Sequence, residues 1–220
     1  MKSARPTLDA EEQGLKNKLD EMYKRTSDAI NKSLKSLLDY DAGIAAQVVN
    51  DDSLINALQQ NIEELSVQII ARQQPVASDL RKVMTDIYIS MELERIADHA
   101  VAIARIVPKL EARPDAHYVN PISDIAEKCK AMLTLAMQAF DEADEALARK
   151  VAAMDDEIDS AEKEVNDFML QEICSNPDHK KTCTYLLWIT HNLERIGDRI
   201  TNIAERVVYM ATNVTPDLNN

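Results

Sequence analysis

Leu93-Glu94-Arg95-Ile96-Ala97-Asp98-His99 returns one hundred positions later as Leu193-Glu194-Arg195-Ile196-Gly197-Asp198-Arg199. Each copy lies late in a long segment whose apolar residues recur at helical spacing. Each also carries a Glu and an Asp four residues apart, which a helix places on one face about a turn apart. Like charges at that spacing weaken an isolated helix, so the duplication predicts something positive between them.

The apolar pattern divides the chain into six long helices. Leu15, Leu19, Met22, Ile30, Leu34 and Leu37 mark the first, with Thr7 as its predicted N-cap. A break at Asp39-Tyr40-Asp41 precedes a second helix through Ile44, Val48, Ile55, Leu58, Ile62, Leu65, Ile69 and Ile70, which stops before Pro75. Ser78 or Asp79 is the predicted cap of a third helix, which ends before Pro108. Pro108, Pro114 and Pro121 bracket the best inter-domain connection. Ser123–Phe140 then begins helix four, Asp144–Cys174 forms helix five, Asn176-Pro177-Asp178 makes a turn, and helix six runs from about His179 to Ala211, leaving Thr212–Asn220 as a frayed polar tail.

The second half repeats the first. Asp41, Ile44, Val48, Asp52 and Ile55 match Asp144, Leu147, Val151, Asp155 and Ile158 at an offset of 103, and the third helix of each set matches at 100. The expected fold is all-α, two tandem repeated three-helix bundles sharing a side, with one unit over residues 1–110 and the other over 111–220. Composition agrees: only 3 glycines and 4% aromatics, in a chain of 220 residues, suit long helices rather than sheets.

Register places the acids. Antiparallel helices rise at the same rate, so Asp52 and Asn56, counted back from Pro75, come level with Asp98 and Glu94, counted forward. Asp155 and Asp159 come level with Asp198 and Glu194 in the same way. Each unit thus sets two carboxylate-bearing turns side by side at the edge of the buried arc. Facing carboxylates share protons or bind a cation, and all-oxygen ligands favour Mg, Mn, Ca or Fe over Cu. Asn56 stands where the second unit has Asp159, so the first site is expected to be one charge poorer. The plainer alternative is a solvated helix face with Arg95, Arg195 and Arg199 as partners. His191, three residues before Glu194, is a better ligand candidate than His99.

The net charge of −13 argues against general binding to nucleic acid or anionic lipid and fits basic partners or cations. Cys129, Cys174 and Cys183 are an odd set without C-x-x-C spacing, which predicts packed or idle thiols in a reducing cytosol. Lys2 and Arg5 are followed by acids, so no signal peptide is expected, and no apolar run reaches the roughly 20 residues of a membrane span. Trp188 is expected in a core or an interface. P-loop, G-x-S-x-G and H-E-x-x-H motifs are all missing, which points away from an enzyme. A carboxylate-bridged di-metal oxidase or storage bundle would need Glu-x-x-His pairs, and neither Glu94 nor Glu194 has one. A metal-free helical adaptor is the other alternative.

With Gln74-Pro75-Val76-Ala77-Ser78-Asp79-Leu80-Arg81, the two Leu-Glu-Arg-Ile-(Ala/Gly)-Asp segments and Asp155-Asp156-Glu157-Ile158-Asp159, the chain from about Thr7 to Met210 resembles the PhoU family of phosphate-specific transport accessory and regulatory proteins. The resemblance implies multinuclear metal, iron or zinc, at Glu94/Asp98 and Glu194/Asp198, with Asp155/Asp159 and the incomplete Asp52/Asn56 as helix-two counterparts. It also implies a cytoplasmic homodimer that restrains the phosphate-starvation response at the membrane's inner face, through a phosphate ABC transporter and a sensor histidine kinase. The sequence departs from the family at Asn56, and mildly at Ala97, where the family usually has Gly. The Gln73–Arg81 stretch is either a proline-bearing turn and cap or a partner contact.

Overall fold

The computed structural model describes residues 5–214 and 216–218. Lys2 and positions 215, 219 and 220 of the expected tail lie outside them. Among the described residues seven α-helices follow in order: α1 Pro6–Asp39, α2 Ala42–Gln73, α3 Ser78–Ala104, α4 Ala116–Glu142, α5 Glu145–Ala153, α6 Asp155–Ser175 and α7 Lys180–Thr212, with single 3-10 turns at Val107–Lys109 and Pro177–His179. α1 to α3 pack on one another, and α4 with α5 and α6 packs on α7. The two sets join mainly along α3 and α7, so one continuous apolar core runs through both.

Physical detail repeats along with the sequence. Tyr40 and Ala143, 103 positions apart, both end their helices in the left-handed conformation, with φ of 55° and 51°. Asp41 and Asp144 follow as N-caps, Asp41 accepting from the amides of Gly43 and Ile44 and Asp144 from that of Leu147. Deeper in, Thr26 Oγ1 donates to the Leu93 carbonyl at 3.3 Å, and Cys129 Sγ donates to the Leu193 carbonyl at 3.4 Å. Both tie the first helix of a unit to the start of its Leu-Glu-Arg-Ile segment.

α3 and α7 run antiparallel. His99 Nδ1 lies 3.0 Å from Asn192 Oδ1, Glu92 lies 3.6 Å from Arg199 and accepts from Asn202, and the Arg206 guanidinium sits 3.9 Å above the Tyr88 ring. A second seam joins α1 to α4 through Lys16–Asp141 at 2.8 Å and Tyr23–Thr134 at 3.3 Å.

Several boundaries differ from the sequence expectation. Thr7 lies inside α1, whose first residue is Pro6; its locked φ suits that position and its missing N–H is not needed there. Ser78 begins α3 rather than capping it; the cap position is Ala77, at φ 48° and ψ −108°, a conformation that costs an Ala roughly 1–3 kcal/mol. α4 starts at Ala116 and carries Pro121 within it. Pro121 forfeits one backbone bond near the N-terminus, while Tyr118 secures that turn by donating to Glu172 at 2.6 Å. The predicted fifth helix is two helices. At Met154 the amide bonds back three residues to Val151, and Glu157 bonds back three to Met154, so the chain tightens and restarts with Asp155, Asp156 and Glu157 in the first turn.

Candidate functional site

Each unit brings its acid turns to one edge, as register counting requires. In the first, Asp52 and Asn56 on α2 lie beside Glu94 and Asp98 on α3. Burial raises the Asp52 carboxyl and the charge of Asp98 adds to it; burial raises Glu94, with Asp98 and Asp52 adding further. In the second, burial raises Asp155 to about 6, with Asp159 and Asp198 adding to the rise, while the Thr201 hydroxyl opposes it. Glu194 rises to about 7 through burial and then Asp198, offset by Arg195 and reinforced by Asp159 and Glu162. These mutual effects are the electrostatic signature of carboxylates held close together.

Glu162 was not among the residues singled out from the sequence. It lies three residues after Asp159 and seven after Asp155, hence on the same α6 stripe; its first-unit counterpart is Gln59. The second site therefore assembles Asp155, Asp159, Glu162, Glu194 and Asp198, against Asp52, Glu94 and Asp98 in the first. The first site is two charges poorer rather than one.

Depth separates the sites as well. Glu94 and Asp98 side chains are 23% and 43% exposed, whereas Glu194 and Asp198 are 17% and 26% exposed. The facing helix also comes closer in the second unit. A Cβ at Gly197 would stand 2.5 Å from Asp155 Oδ1, so only glycine lets that carboxylate sit against the α7 backbone. Thr201 Oγ1 then donates to Asp155 Oδ2 at 3.0 Å. The first unit has Ala97 and Val101 at these places, neither able to do the same, and Asp52 takes a 3.3 Å hydrogen bond from Asn56 instead. The Ala97 departure is thus a structural difference and not a mild one.

The intervening arginines satisfy part of the charge. Arg95 lies 3.2 Å from Asp98 and 3.4 Å from Glu94; Arg195 lies 2.8 Å from Asp198 and 3.0 Å from Glu194. Arg199, expected as a further partner, turns to Glu92 across the unit boundary. His191 Nδ1 is 3.5 Å from Glu194, while His99 belongs to the α3–α7 seam. Cys129 and Cys183 are buried, Cys174 is exposed, and all three are free thiols. Trp188 belongs to no core: it is 65% exposed on α7.

Among the described residues, no three His, Cys, Asp or Glu side chains converge on one point closely enough to hold an ion. Buried oxygens nevertheless remain without hydrogen-bond partners: Asp52 Oδ1, Asn56 Oδ1, Asp155 Oδ1 and Glu194 Oε2. The Arg195 and His191 nitrogens near Glu194 Oε2 lack hydrogen-bond geometry. Unpartnered oxygens at both acid edges, in an all-oxygen donor set, match a hard or borderline cation in donor chemistry, though the side chains would have to draw together to enclose it.

The PhoU domain family matches this chain twice, over residues 19–107 and 122–207. The chain belongs to the PhoU family. Each match spans one repeat and ends just beyond its acid-bearing third-helix segment. A PhoU homologue of Clostridium acetobutylicum, described as a phosphate-specific transport system accessory protein, is 31% identical over 217 residues, covering 98% of this chain and 99% of its own. The crystal structure of PhoU from Pseudomonas aeruginosa superposes with a TM-score of 0.89 at 31% identity, over 94% of this chain and 100% of its own. PhoU from Streptococcus pneumoniae, described as a phosphate transport system regulatory protein, gives 0.90 at 27% identity over 96% and 100%. PhoU proteins are accessory and regulatory rather than catalytic, and so is this one. Among the described residues no helix is long and apolar enough to cross a membrane.

Proposed function

We propose that the protein regulates phosphate uptake and phosphate-starvation signalling, and that its acid edges bind metal. Three features support the regulatory part: family membership, full-length similarity to a phosphate-transport accessory protein, and the absence of the catalytic motifs noted above. Its partners on this reading are a phosphate ABC transporter and a sensor histidine kinase at the inner membrane face, and it works as a homodimer of two-unit chains divided near residue 110. The observation that carries the metal part is the second acid edge, with five carboxylates, buried oxygens lacking partners and a glycine that admits Asp155.

Asp155, Asp159, Glu194 and Asp198 would hold the ion or ions, iron or zinc before Mg or Mn, with Asp52, Asn56, Glu94 and Asp98 as the weaker set. A bound cation would supply the positive charge that the raised Asp155 group lacks and would take over at Glu194 from Arg195. Arg195 must then yield its contacts to both acids, which turns occupancy into a change of surface charge where a partner could read it.

Elemental analysis after reconstitution with Fe(II) or Zn(II) tests this, together with repression of phosphate-starvation genes in a strain lacking its own family member. Glu194→Ala/Asp198→Ala is expected to remove most of the metal, and Glu94→Ala/Asp98→Ala a minor part. Unchanged metal in both variants would sink the metal reading and leave the regulatory one to the repression assay.

A further inference from the structure

Where the N-terminal halves of α1 and α3 meet the C-terminal ends of α4 and α7, a cavity of about 320 Å³ opens at the junction of the two units. It is separate from both acid edges. Asp86 on α3 forms part of its wall and is only 7% exposed. Among the described residues Asp86 makes no hydrogen bond and no ion pair, although a carboxylate at that depth costs several kcal/mol when unpaired. Glu12 Oε1, from α1, is buried without a hydrogen-bond partner.

The remaining charges are already engaged. Lys16 holds Asp141 at 2.8 Å, and Lys82, on the exposed rim, lies 3.5 Å from Glu12. Counting Asp9, Glu12, Asp86 and Asp141 against Lys16 and Lys82, the wall carries four negative and two positive charges, net −2. Its apolar part is Phe140, Ala143 and Met210.

We infer that this cavity is a binding site for an alkylguanidinium group, the arginine side chain of a partner protein being the form it fits best. A single deep carboxylate suits one planar cation, which it can accept through two parallel hydrogen bonds. The volume greatly exceeds that of a lone metal ion, and Phe140 and Met210 offer a surface for a methylene stem. A net charge of −13 on the chain favours approach of a basic partner. Burial pushes the Asp86 carboxyl up to about 7, against the opposing charges of Lys82 and Lys16, so the bare cavity keeps an acid at a cost that an incoming cation relieves.

Calorimetric titration of the full chain with Nα-acetyl-arginine methylamide, agmatine and the uncharged Nα-acetyl-citrulline methylamide tests the site. The arginine compound is expected to bind and the citrulline compound not to. Asp86→Asn is expected to weaken arginine binding at least tenfold with helical content unchanged, and Lys82→Ala, which removes a competing cation, to strengthen it. Preference for the capped arginine over agmatine assigns the site to a protein partner; the reverse assigns it to a free guanidine, with the site itself intact. Equal binding of citrulline, no binding of either guanidine, indifference to Asp86→Asn, or Mg2+ binding that depends on Asp86 in place of the guanidines would overturn the proposal.

Discussion

Replacing Asp86 by Asn is expected to stabilise the protein at pH 8 by about 2–3 kcal/mol, raising Tm by roughly 5–10 °C for a chain of this size. Asp86 ionises near pH 7 in the folded state, against an ordinary value of 3.8, because burial penalises its charged form and Glu12 adds repulsion, with Lys82 and Lys16 opposing. Asp141, from α4, also faces the cavity and is neutralised by Lys16. The folded-state value lies above the unfolded one, so the contribution of this group is complete below pH 3.8 and is lost as pH rises through about 7. The full shift corresponds to roughly 4 kcal/mol; the Asn amide, also short of partners there, returns part of that. The amide's deficit acts at every pH, so the two melting profiles should cross: the variant melts higher at pH 8 and a few degrees lower at pH 4, where Asp86 is protonated in the folded state. Parallel Tm profiles would show that Asp86 is not held in the disfavoured state. A group that destabilises its own fold at neutral pH is the pattern expected of a site kept for binding.

Gly197→Val should cost about 3 kcal/mol in urea denaturation and, on the proposed metal reading, lower the metal taken up at the second acid edge. A Cβ at 197 would meet Asp155 Oδ1 at 2.5 Å and Ile158 Cδ1 and Cγ2 at 3.3 and 3.4 Å. Overpacking of this kind costs about 1–3 kcal/mol. Displacing Asp155 also breaks its bond from Thr201, worth about 1 kcal/mol, while the gain in helix propensity over glycine is only a few tenths. If Asp155 is the obstacle, adding Asp155→Ala should return at least 1 kcal/mol to the valine variant, a coupling that only neighbouring residues show. Strict additivity of the two substitutions would place the clash elsewhere. At the matching place in the first unit, Ala97→Gly should cost no more than about 1 kcal/mol, the ordinary price of glycine in a helix.

The two units share a plan and differ in its use. Asp52 and Asp155 occupy equivalent positions, yet Asp52 lies within the continuous α2 and bonds Asn56, whereas Asp155 opens α6 after the break at Met154 and bonds Thr201 on the facing helix. Gln59 and Glu162 widen the difference in charge. Of the eight residues named from register, all lie at the two acid edges. Glu162, Gly197 and Thr201 complete the second edge, and only Glu162 could have been found by extending the α6 stripe one more turn.

Helix positions, the duplication and the level placement of the acids were legible in the sequence, because they follow from local quantities: apolar periodicity, turn residues and a constant rise per residue. The break at Met154 was not, since neither Gly nor Pro marks it. Thr7, Ser78 and Pro121 misled because capping and helix entry depend on the backbone angles of particular residues, which side-chain type only biases. The contact of Asp155 with Gly197, the pairing of Arg195 with both acids, the exposure of Trp188 and the unpaired Asp86 at the junction of the two units were decided only by the tertiary structure. Each depends on where side chains from separate helices meet, and helical periodicity specifies which face a residue occupies without specifying what stands opposite.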